Sequence, residues 1–176
     1  MQRHRTFDEL RAQLDALPAA PDTHGRVHLL VTRRESGHET LAQVRLTADG
    51  MPGDAWGRRL PLNPAAQLTV MQVELATLFA NGQPLDRFGD NLFVELDLTS
   101  RNLPIGSRLR LGEAIVEVTP KPHNGCRKFE ERFGEGALQL VKLPELRHRN
   151  LRGIYVQVVE PGEVRPGDAI DVLARA

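Results

Sequence analysis

The sequence is poor in cysteine, because Cys126 is the only one among 176 residues. One thiol cannot form an internal disulfide, and it cannot build a zinc site that needs several thiolates. Long apolar runs are also missing, since none approaches the ~18 residues that span a bilayer. The chain has no GxGxxG or GxxxxGK[ST] phosphate loop, no HExxH metal helix and no GxSxG nucleophile elbow. The usual signals of nucleotide-binding proteins, metalloproteases and serine hydrolases are therefore absent.

Net charge is absent as well, because 23 Lys and Arg residues balance 23 Asp and Glu residues. A neutral molecule has no general attraction to nucleic acid or to an anionic membrane, so neither is an expected partner. The N-terminus starts with basic residues but continues as a charged amphipathic segment, where a signal peptide would have an apolar region. We therefore expect a cytoplasmic protein with a small-molecule substrate.

The N-terminal region predicts a helix over residues 7–17. Thr6 and Glu9 match a capping box, leucines recur on one face, and Pro18 stops the helix. The segment "PAAPDTHG" that follows is typical of a linker. We expect residues 1–24 to form this helix and linker, and residues 25–176 to form the main domain around one core.

The rest of the chain has the pattern of a β protein, with short apolar runs between turn residues. Residues 107–119 form the clearest hairpin, with Gly112 and Glu113 as a two-residue turn. Residues 152–173 predict two more strands joined through "EPGEVRPGD", and residues 73–80 predict a short helix. This pattern predicts a mainly β fold, a largely antiparallel barrel or sandwich with a few short α-helices. Further strands are predicted at residues 26–34, 40–50 and 87–96.

The stretch "TPKPHNGCRKFEERFG" places Cys126 after a turn, in the first turn of a short helix that ends at Gly134. There the helix dipole, free N–H groups and nearby cations would stabilise the thiolate, which is the reactive form. The alternative is that Cys126 is a small buried apolar residue, a common role for a lone cysteine. His123 lies three residues earlier; it would orient the thiol or act as an acid or base, unless it is merely exposed.

Residues 89–134, "GDNLFVELDLTSRNLPIGSRLRLGEAIVEVTPKPHNGCRKFEERFG", resemble the central part of the MOSC domain, which is named for the C-terminal domain of molybdenum cofactor sulfurase. The matching pieces are "GDNL", the hairpin "LPIGSRLRLGEAIVEVT" and the single cysteine after it. The segment "RGIYVQVVEPGEVRPGD" is similar to the closing part of the family. The resemblance implies an antiparallel β-barrel-like MOSC fold and a functional cysteine that carries sulfur or ligates molybdenum. Some members of the family reduce N-hydroxylated compounds, so the resemblance also implies this reaction as a candidate activity.

By position, the resemblance gives Cys126 the role of metal ligand and catalytic residue. His123 is the second catalytic candidate because it lies three residues before the thiol. It implies a molybdenum-pterin cofactor, and molybdenum in such a cofactor is soft enough to accept one thiolate. The phosphate of the pterin would need cations or N–H donors, and Trp56 would stack on the ring or else cap the core. The candidate cofactor-binding residues are Trp56, Arg58, Arg59, Asn91, Lys121, Asn124, Arg127, Lys128 and Arg152. Asn91 and Asp90 also fit a tight turn without any further role.

Three functions remain open at this point. The first is a molybdenum-dependent reductase, which would need a separate electron-donor reductase because no flavin, haem or iron–sulfur motif is encoded. The second is a sulfur carrier that holds a persulfide on its cysteine and needs a sulfur-donor protein. The third is a domain that binds a pterin or a protein without turnover. The sequence includes neither the extra β-rich domain of some reductases nor the pyridoxal phosphate-dependent desulfurase domain of the sulfurase.

Overall fold

The computed structural model describes residues 3–176, which contain four α-helices, ten β-strands and four short 3-10 helices. The strands are β1 (His24–Arg34), β2 (Gly37–Leu41), β3 (Val44–Leu46), β4 (Leu68–Gln72), β5 (Leu92–Glu95), β6 (Arg108–Leu111), β7 (Ala114–Val118), β8 (Ile154–Glu160), β9 (Gly162–Val164) and β10 (Ala169–Ala174). The α-helices are α1 (Phe7–Ala16), α2 (Val73–Ala80), α3 (Arg127–Phe133) and α4 (Glu135–Val141). The 3-10 helices are Ala55–Arg58, Pro64–Ala66, Leu85–Phe88 and Pro144–Arg149.

Seven strands form a closed barrel in the order β10, β6, β7, β8, β4, β5, β1, and the barrel closes where β1 pairs with β10. β2 extends the sheet beyond β1, while β3 and β9 form a separate two-stranded sheet. Every pairing among the described strands is antiparallel except that of β4 with β5. The predicted mainly β fold, an antiparallel β-barrel with a few short helices, is therefore confirmed.

The barrel interior is filled by aliphatic side chains, because alternate residues of each strand point to the same face. In β7 the buried positions are Ala114, Val116 and Val118, and the residues between them are half-buried. The other barrel strands contribute leucine, valine and isoleucine side chains to the same continuous core. The barrel is thus packed solid, and a ligand site has to lie on its outer surface.

A second core lies between the barrel and the helices. It contains the phenylalanine rings of the helical region, which make edge-on, tilted and stacked contacts with one another. Phe129 and Phe133 of α3 lie four residues apart and are both buried, as the sequence indicated. This packing fixes α3 against the barrel and so positions its first residue, which follows Cys126.

The predicted N-terminal helix is confirmed over residues 7–16. The Thr6 side chain accepts a hydrogen bond from the Glu9 amide, and the Glu9 carboxylate accepts one from the Thr6 amide. α1 packs against α2 and α4, so it belongs to the helical layer of the fold. The first barrel strand starts at His24, at the end of the segment predicted as a linker.

The hairpin predicted at residues 107–119 is formed by β6 and β7, with Leu111 paired to Ala114 across the turn. Gly112 supports the turn with a φ of +56°, a conformation that glycine adopts without strain. The prediction of two strands near the C-terminus is wrong in number, because "EPGEVRPGD" contains a strand of its own. Residues 162–164 form β9, which pairs with β3, so this region has three strands.

Candidate functional site

Cys126 lies at a cleft of about 330 Å³ on the outside of the barrel, which we call the cysteine cleft. Loop residues, the end of β1, the start of α3 and strand β8 contribute to its wall. Among the described lining residues, one carboxylate, that of Asp90, faces six cations. Three of these cations are paired with Asp54, Glu39 and Asp90, and the other three make no ion pair among the described residues, so the cleft attracts anions. The six cations are Arg33, Arg34, Arg59, Lys128, Arg132 and Arg152.

Cys126 is exposed and is the N-cap residue of α3, one position before the first turn in which the sequence placed it. Its backbone is extended, its carbonyl accepts the first helical hydrogen bond from Glu130, and its thiol caps no backbone amide. The alternative that Cys126 is a small buried apolar residue is therefore wrong, and the thiol is open to solvent at the edge of the cleft.

Arg33 is held in the cleft by a buried carboxylate. Asp54 is 2% exposed and accepts hydrogen bonds from the Arg33 guanidinium at 2.5 and 3.1 Å and from the Arg33 amide at 2.8 Å. Burial acts to raise the pKa of Asp54, but the hydrogen bonds and charge of Arg33, with the Trp56 amide, outweigh it and hold the pKa below its usual range. Asp54 is thus ionised, and it fixes a cation at the wall of the cleft.

Asn91 lies beneath this pair and joins it to the barrel. Its side-chain amide donates to Asp54 at 3.1 Å and to the Val31 carbonyl at 3.2 Å, while its side-chain oxygen accepts from the Thr69 amide at 3.1 Å. Asn91 has no exposed surface. It therefore serves this network, which holds the end of β1 against β4, and it has no surface on the cleft.

Arg152 and Asp90 form a second buried ion pair at the floor of the cysteine cleft. Arg152 Nη1 donates to Asp90 Oδ2, and the guanidinium lies over the rings of Phe88 and Phe129 at 5.6 and 5.2 Å. Both side chains are at least nine-tenths buried. Asp90 Oδ1 and Arg152 Nε have no hydrogen-bond partner among the described residues.

The side chain of His123 is 9% exposed and lies beside this pair, with Nδ1 3.7 Å from Asp90 Oδ1 and its ring 4.7 Å from that of Tyr155. Burial lowers the pKa of His123 from its ordinary 6.5 to about 4, although the charge of Asp90 acts against that shift. Burial also raises the pKa of Tyr155. At neutral pH, His123 is a neutral imidazole and Tyr155 keeps its hydroxyl proton.

The depressed pKa of His123 predicts a pH dependence of stability. The unfolded chain takes up a proton near pH 6.5 and the folded chain only near pH 4, so this group stabilises the fold above that window and the contribution is lost as pH falls through it. Between about pH 7.5 and about pH 5, the loss should be roughly 2 kcal/mol. Urea unfolding at both pH values should show this loss in the parent but not in His123→Gln. Parallel pH dependence in the two proteins would contradict the prediction.

The structure brings together about half of the site residues predicted from the sequence. Cys126, His123, Arg59, Lys128 and Arg152 all line the cysteine cleft. The other six predicted residues lie outside the lining of this cleft.

Trp56 is buried, and its indole N–H donates to the Asn63 carbonyl at 2.9 Å, so its structural role as a core residue is observed. Arg58 donates to two backbone carbonyls. Arg127 is exposed and pairs with Glu131 on the surface of α3. Of the remaining three, Asn91 is buried below the cleft, Lys121 lies over the Tyr155 ring at 5.9 Å, and Asn124 lines a different cleft.

Sequence reasoning missed the residues that organise the cleft. Arg33, Asp54 and Tyr155 were not among the candidates, and Asp90 had only a turn assigned to it. The sequence carried one signal for Arg33. Two consecutive arginines at the end of an apolar strand are typical of the point where a strand leaves the core and meets solvent. Asp54 had no comparable signal, since its partner lies 21 positions away.

Comparison with known proteins identifies relatives of the chain. The family model of the MOSC domain matches residues 54–171. The fold is similar to that of the YuaD protein from Bacillus subtilis (19% identity, TM-score 0.63, covering 84% of this chain and 94% of that one). It is also similar to YiiM from Escherichia coli (23% identity, TM-score 0.59, 86% and 71%) and YiiM from Geobacillus stearothermophilus (18%, 0.57, 86% and 76%). No curated protein matches the sequence. At these identities, the solved structures establish the fold alone.

Two further observations concern residues 3–176. No helix in this range combines the length and the apolar character that crossing a membrane requires. No group of three or more His, Cys, Asp and Glu side chains in the same range is arranged to hold a metal ion.

Proposed function

The chain belongs to the MOSC domain family, and from this premise we propose that the cysteine cleft binds a molybdenum-pterin cofactor with Cys126 as the protein ligand of the metal. One observation carries the proposal: the only thiol of the chain is exposed at a cleft lined by six cations and one carboxylate. Such a cofactor requires a soft ligand for its metal and cations for its phosphate; Cys126 offers the first, and Arg59, Lys128 and Arg132, which make no ion pair within residues 3–176, offer the second.

The residues present fit the cofactor chemically. Molybdenum accepts thiolate sulfur, and one protein thiolate is enough when the dithiolene of the pterin supplies the other sulfurs. The phosphate of the pterin is an anion that guanidinium groups bind with two parallel hydrogen bonds. Arg33 is already oriented by Asp54, so it loses little side-chain freedom on binding. Arg59 and Lys128 are exposed cations on the same cleft.

When bound, this cofactor would supply two-electron redox chemistry. We propose that the reaction is the reduction of an N-hydroxylated compound, in which two electrons and two protons convert the N–OH group to N–H and release water. The electrons would come from a separate electron-donor reductase. Of the chain's own groups, Tyr155 holds a hydroxyl proton and His123 holds one ring proton beside the cleft at neutral pH. These two groups are the candidates for proton exchange with the substrate.

Molybdenum content tests the cofactor proposal. Protein produced in cells that synthesise the cofactor should contain close to one molybdenum per chain by elemental mass spectrometry, and Cys126→Ser should contain almost none. Lys128→Ala should lower the content, because Lys128 lines the cleft, whereas Arg127→Ala is a matched control on the neighbouring residue, which pairs with Glu131 instead. Equal molybdenum content in Cys126→Ser and the parent would remove Cys126 as the ligand.

The exposure of Cys126 favours a second candidate function, that of a sulfur carrier. In this function the Cys126 thiolate attacks the outer sulfur of a donor persulfide, a new S–S bond forms on Cys126, and the donor thiolate leaves. The transfer balances without an oxidant, and it needs a thiol that a donor protein can reach. Incubation with a persulfide donor should then add one sulfur to the intact mass of the parent but not to that of Cys126→Ser. An unchanged parent mass would reject the carrier function without affecting the molybdenum experiment.

A further inference from the structure

A second cleft, of about 450 Å³, adjoins the cysteine cleft on the other side of His123 and Arg152, and we call it the anion cleft. It lies between the loop at residues 122–124, the C-terminal end of α4 and the 3-10 helix Pro144–Arg149. We infer that this cleft is a binding site for a small organic anion with an apolar body, such as an aromatic carboxylate. The inference does not depend on the cofactor proposed for the cysteine cleft.

The charges of the anion cleft have one sign. Lys142 and Arg147 are exposed cations in its lining, and Arg152 is the buried cation that it shares with the cysteine cleft. No carboxylate is among the described residues that line it. Neither Lys142 nor Arg147 makes an ion pair with any residue in the range 3–176. Their positive field is therefore directed to solvent and to whatever enters the cleft.

The wall that the anion cleft shares with the cysteine cleft contains buried polar atoms that have no hydrogen-bond partner within residues 3–176. Arg152 Nε donates to no acceptor within residues 3–176, although Nη1 of the same group is paired with Asp90. His123 Nδ1 is likewise buried without a hydrogen-bond partner in that range. Asp90 Oδ1, 3.7 Å from His123 Nδ1, is also unpartnered, and Asp90 lines the cysteine cleft but not the anion cleft. Buried polar groups are nearly always satisfied by protein, water or ligand, so these three atoms indicate a polar molecule at the wall that the two clefts share, and Arg152 is the group there that adds a cation to the anion cleft.

The remaining wall of the anion cleft is apolar. Leu146 and Leu151 are buried side chains that contribute to it, and Val141, Leu143 and Pro122 complete the surface. A bare inorganic anion would leave this apolar surface in contact with water. A ligand that joins an anionic group to an aromatic or aliphatic body satisfies the cations and covers the apolar wall together.

Benzoate, benzamide and acetate separate the two requirements, because benzamide lacks the charge and acetate lacks the body. Titration of the full chain should be followed through the methyl resonances of Val141, Leu143 and Leu146. Benzoate should bind at least about tenfold more tightly than benzamide, which lacks the charged interaction, and at least about tenfold more tightly than acetate, which lacks the apolar contact. Benzoate affinity no higher than that of benzamide, or the absence of methyl shifts, would overturn the inference.

Two double variants locate the site. Lys142→Gln with Arg147→Gln should weaken benzoate binding about tenfold, because both cations of the mouth are removed. Both side chains are exposed, so the variant should keep the fold of the parent. The matched control is Arg59→Gln with Lys128→Gln, which removes two cations of the cysteine cleft and should leave the affinity within about twofold. Equal weakening by both double variants would show that benzoate binds in the cysteine cleft and would reject the anion cleft.

The phosphate of the pterin is the other source of an organic anion at this place. Protein loaded with molybdenum distinguishes the two sources, since a separate site should keep its benzoate affinity when the cofactor is bound. Loss of benzoate binding on loading would assign the cleft to the cofactor and overturn the inference. Molybdenum content and benzoate affinity are measured independently, so failure of one proposal is visible without failure of the other.

Discussion

Asp54→Ala should lower the free energy of unfolding by about 3–5 kcal/mol, because it leaves the partly buried Arg33 without its carboxylate. The variant also loses the hydrogen bonds that Asp54 accepts from the Arg33 and Trp56 amides and from Asn91. Urea unfolding at neutral pH measures the change. Asp54→Asn keeps the shape of the side chain and removes its charge, so it should cost less than Asp54→Ala but clearly more than a surface substitution.

Glu39→Ala is the matched control for this prediction. Glu39 pairs with Arg34, the residue after Arg33, at 3.1 Å on the exposed side of the sheet. An exposed pair contributes at most about 1 kcal/mol, so Glu39→Ala should be nearly neutral. Similar losses in Asp54→Ala and Glu39→Ala would mean that the buried network around Asn91 does not hold the end of β1.

The same network predicts loss of stability in acid. The pKa of Asp54 lies below its usual value in the folded state, so the unfolded chain binds the proton more readily. The stabilisation is fully present above the unfolded pKa and is lost as pH falls through the folded one. This window lies below that of His123, so the two groups separate along a pH series.

The second large effect is expected at Arg152. Arg152→Met should lower the free energy of unfolding by about 3–5 kcal/mol, because it leaves the carboxylate of Asp90, which is 1% exposed, without a counter-charge. In the parent protein the neighbouring His123 is a neutral imidazole at neutral pH, because burial lowers its pKa to about 4. The methionine fills much of the space over Phe88 and Phe129, which confines the loss to the charge and its hydrogen bond.

A double variant separates the charge from the packing. Replacing both partners of a buried ion pair is often close to neutral, so Asp90→Asn should recover most of the stability lost in Arg152→Met. Arg127→Ala provides the surface comparison, since its pair with Glu131 is exposed and should contribute less than about 0.5 kcal/mol. If Asp90→Asn adds to the loss instead of reversing it, the buried pair is not the source of the effect.

The sequence predicted those parts of the fold whose causes are local. The capping box at Thr6 and Glu9, the glycine turn at Gly112 and the helix after Cys126 each depend on residues within a few positions of one another. Local hydrogen bonds and allowed φ values decide such features, and the residue types that favour them can be read directly from the sequence. The largely antiparallel barrel followed from the same turn signals and from the resemblance to the MOSC domain.

The features that the sequence did not predict depend on contacts between distant segments. Residues 162–164 begin with glycine and lie between two prolines, a pattern typical of a turn, but pairing with β3 makes them a strand. Likewise, the parallel pairing of β4 with β5 is set by the closed barrel and has no local signal. The cleft is the strongest case, because Arg33 meets Asp54, and Arg152 meets Asp90, only after the strands have assembled.

The closure of the barrel has a consequence for how the chain folds during synthesis. β1 is the first strand and β10 the last, and they pair through His24 and Asp171. While the chain emerges from the ribosome, β2 covers residues 30–34 of β1 early, but residues 24–26 have to wait for almost all of the remaining chain before β10 covers them. Contacts of such high sequence separation slow folding, and an uncovered strand edge invites pairing with other chains. We expect nascent chains that end before Ala169 to engage chaperones or aggregate, and chains that include β10 to be released as closed barrels.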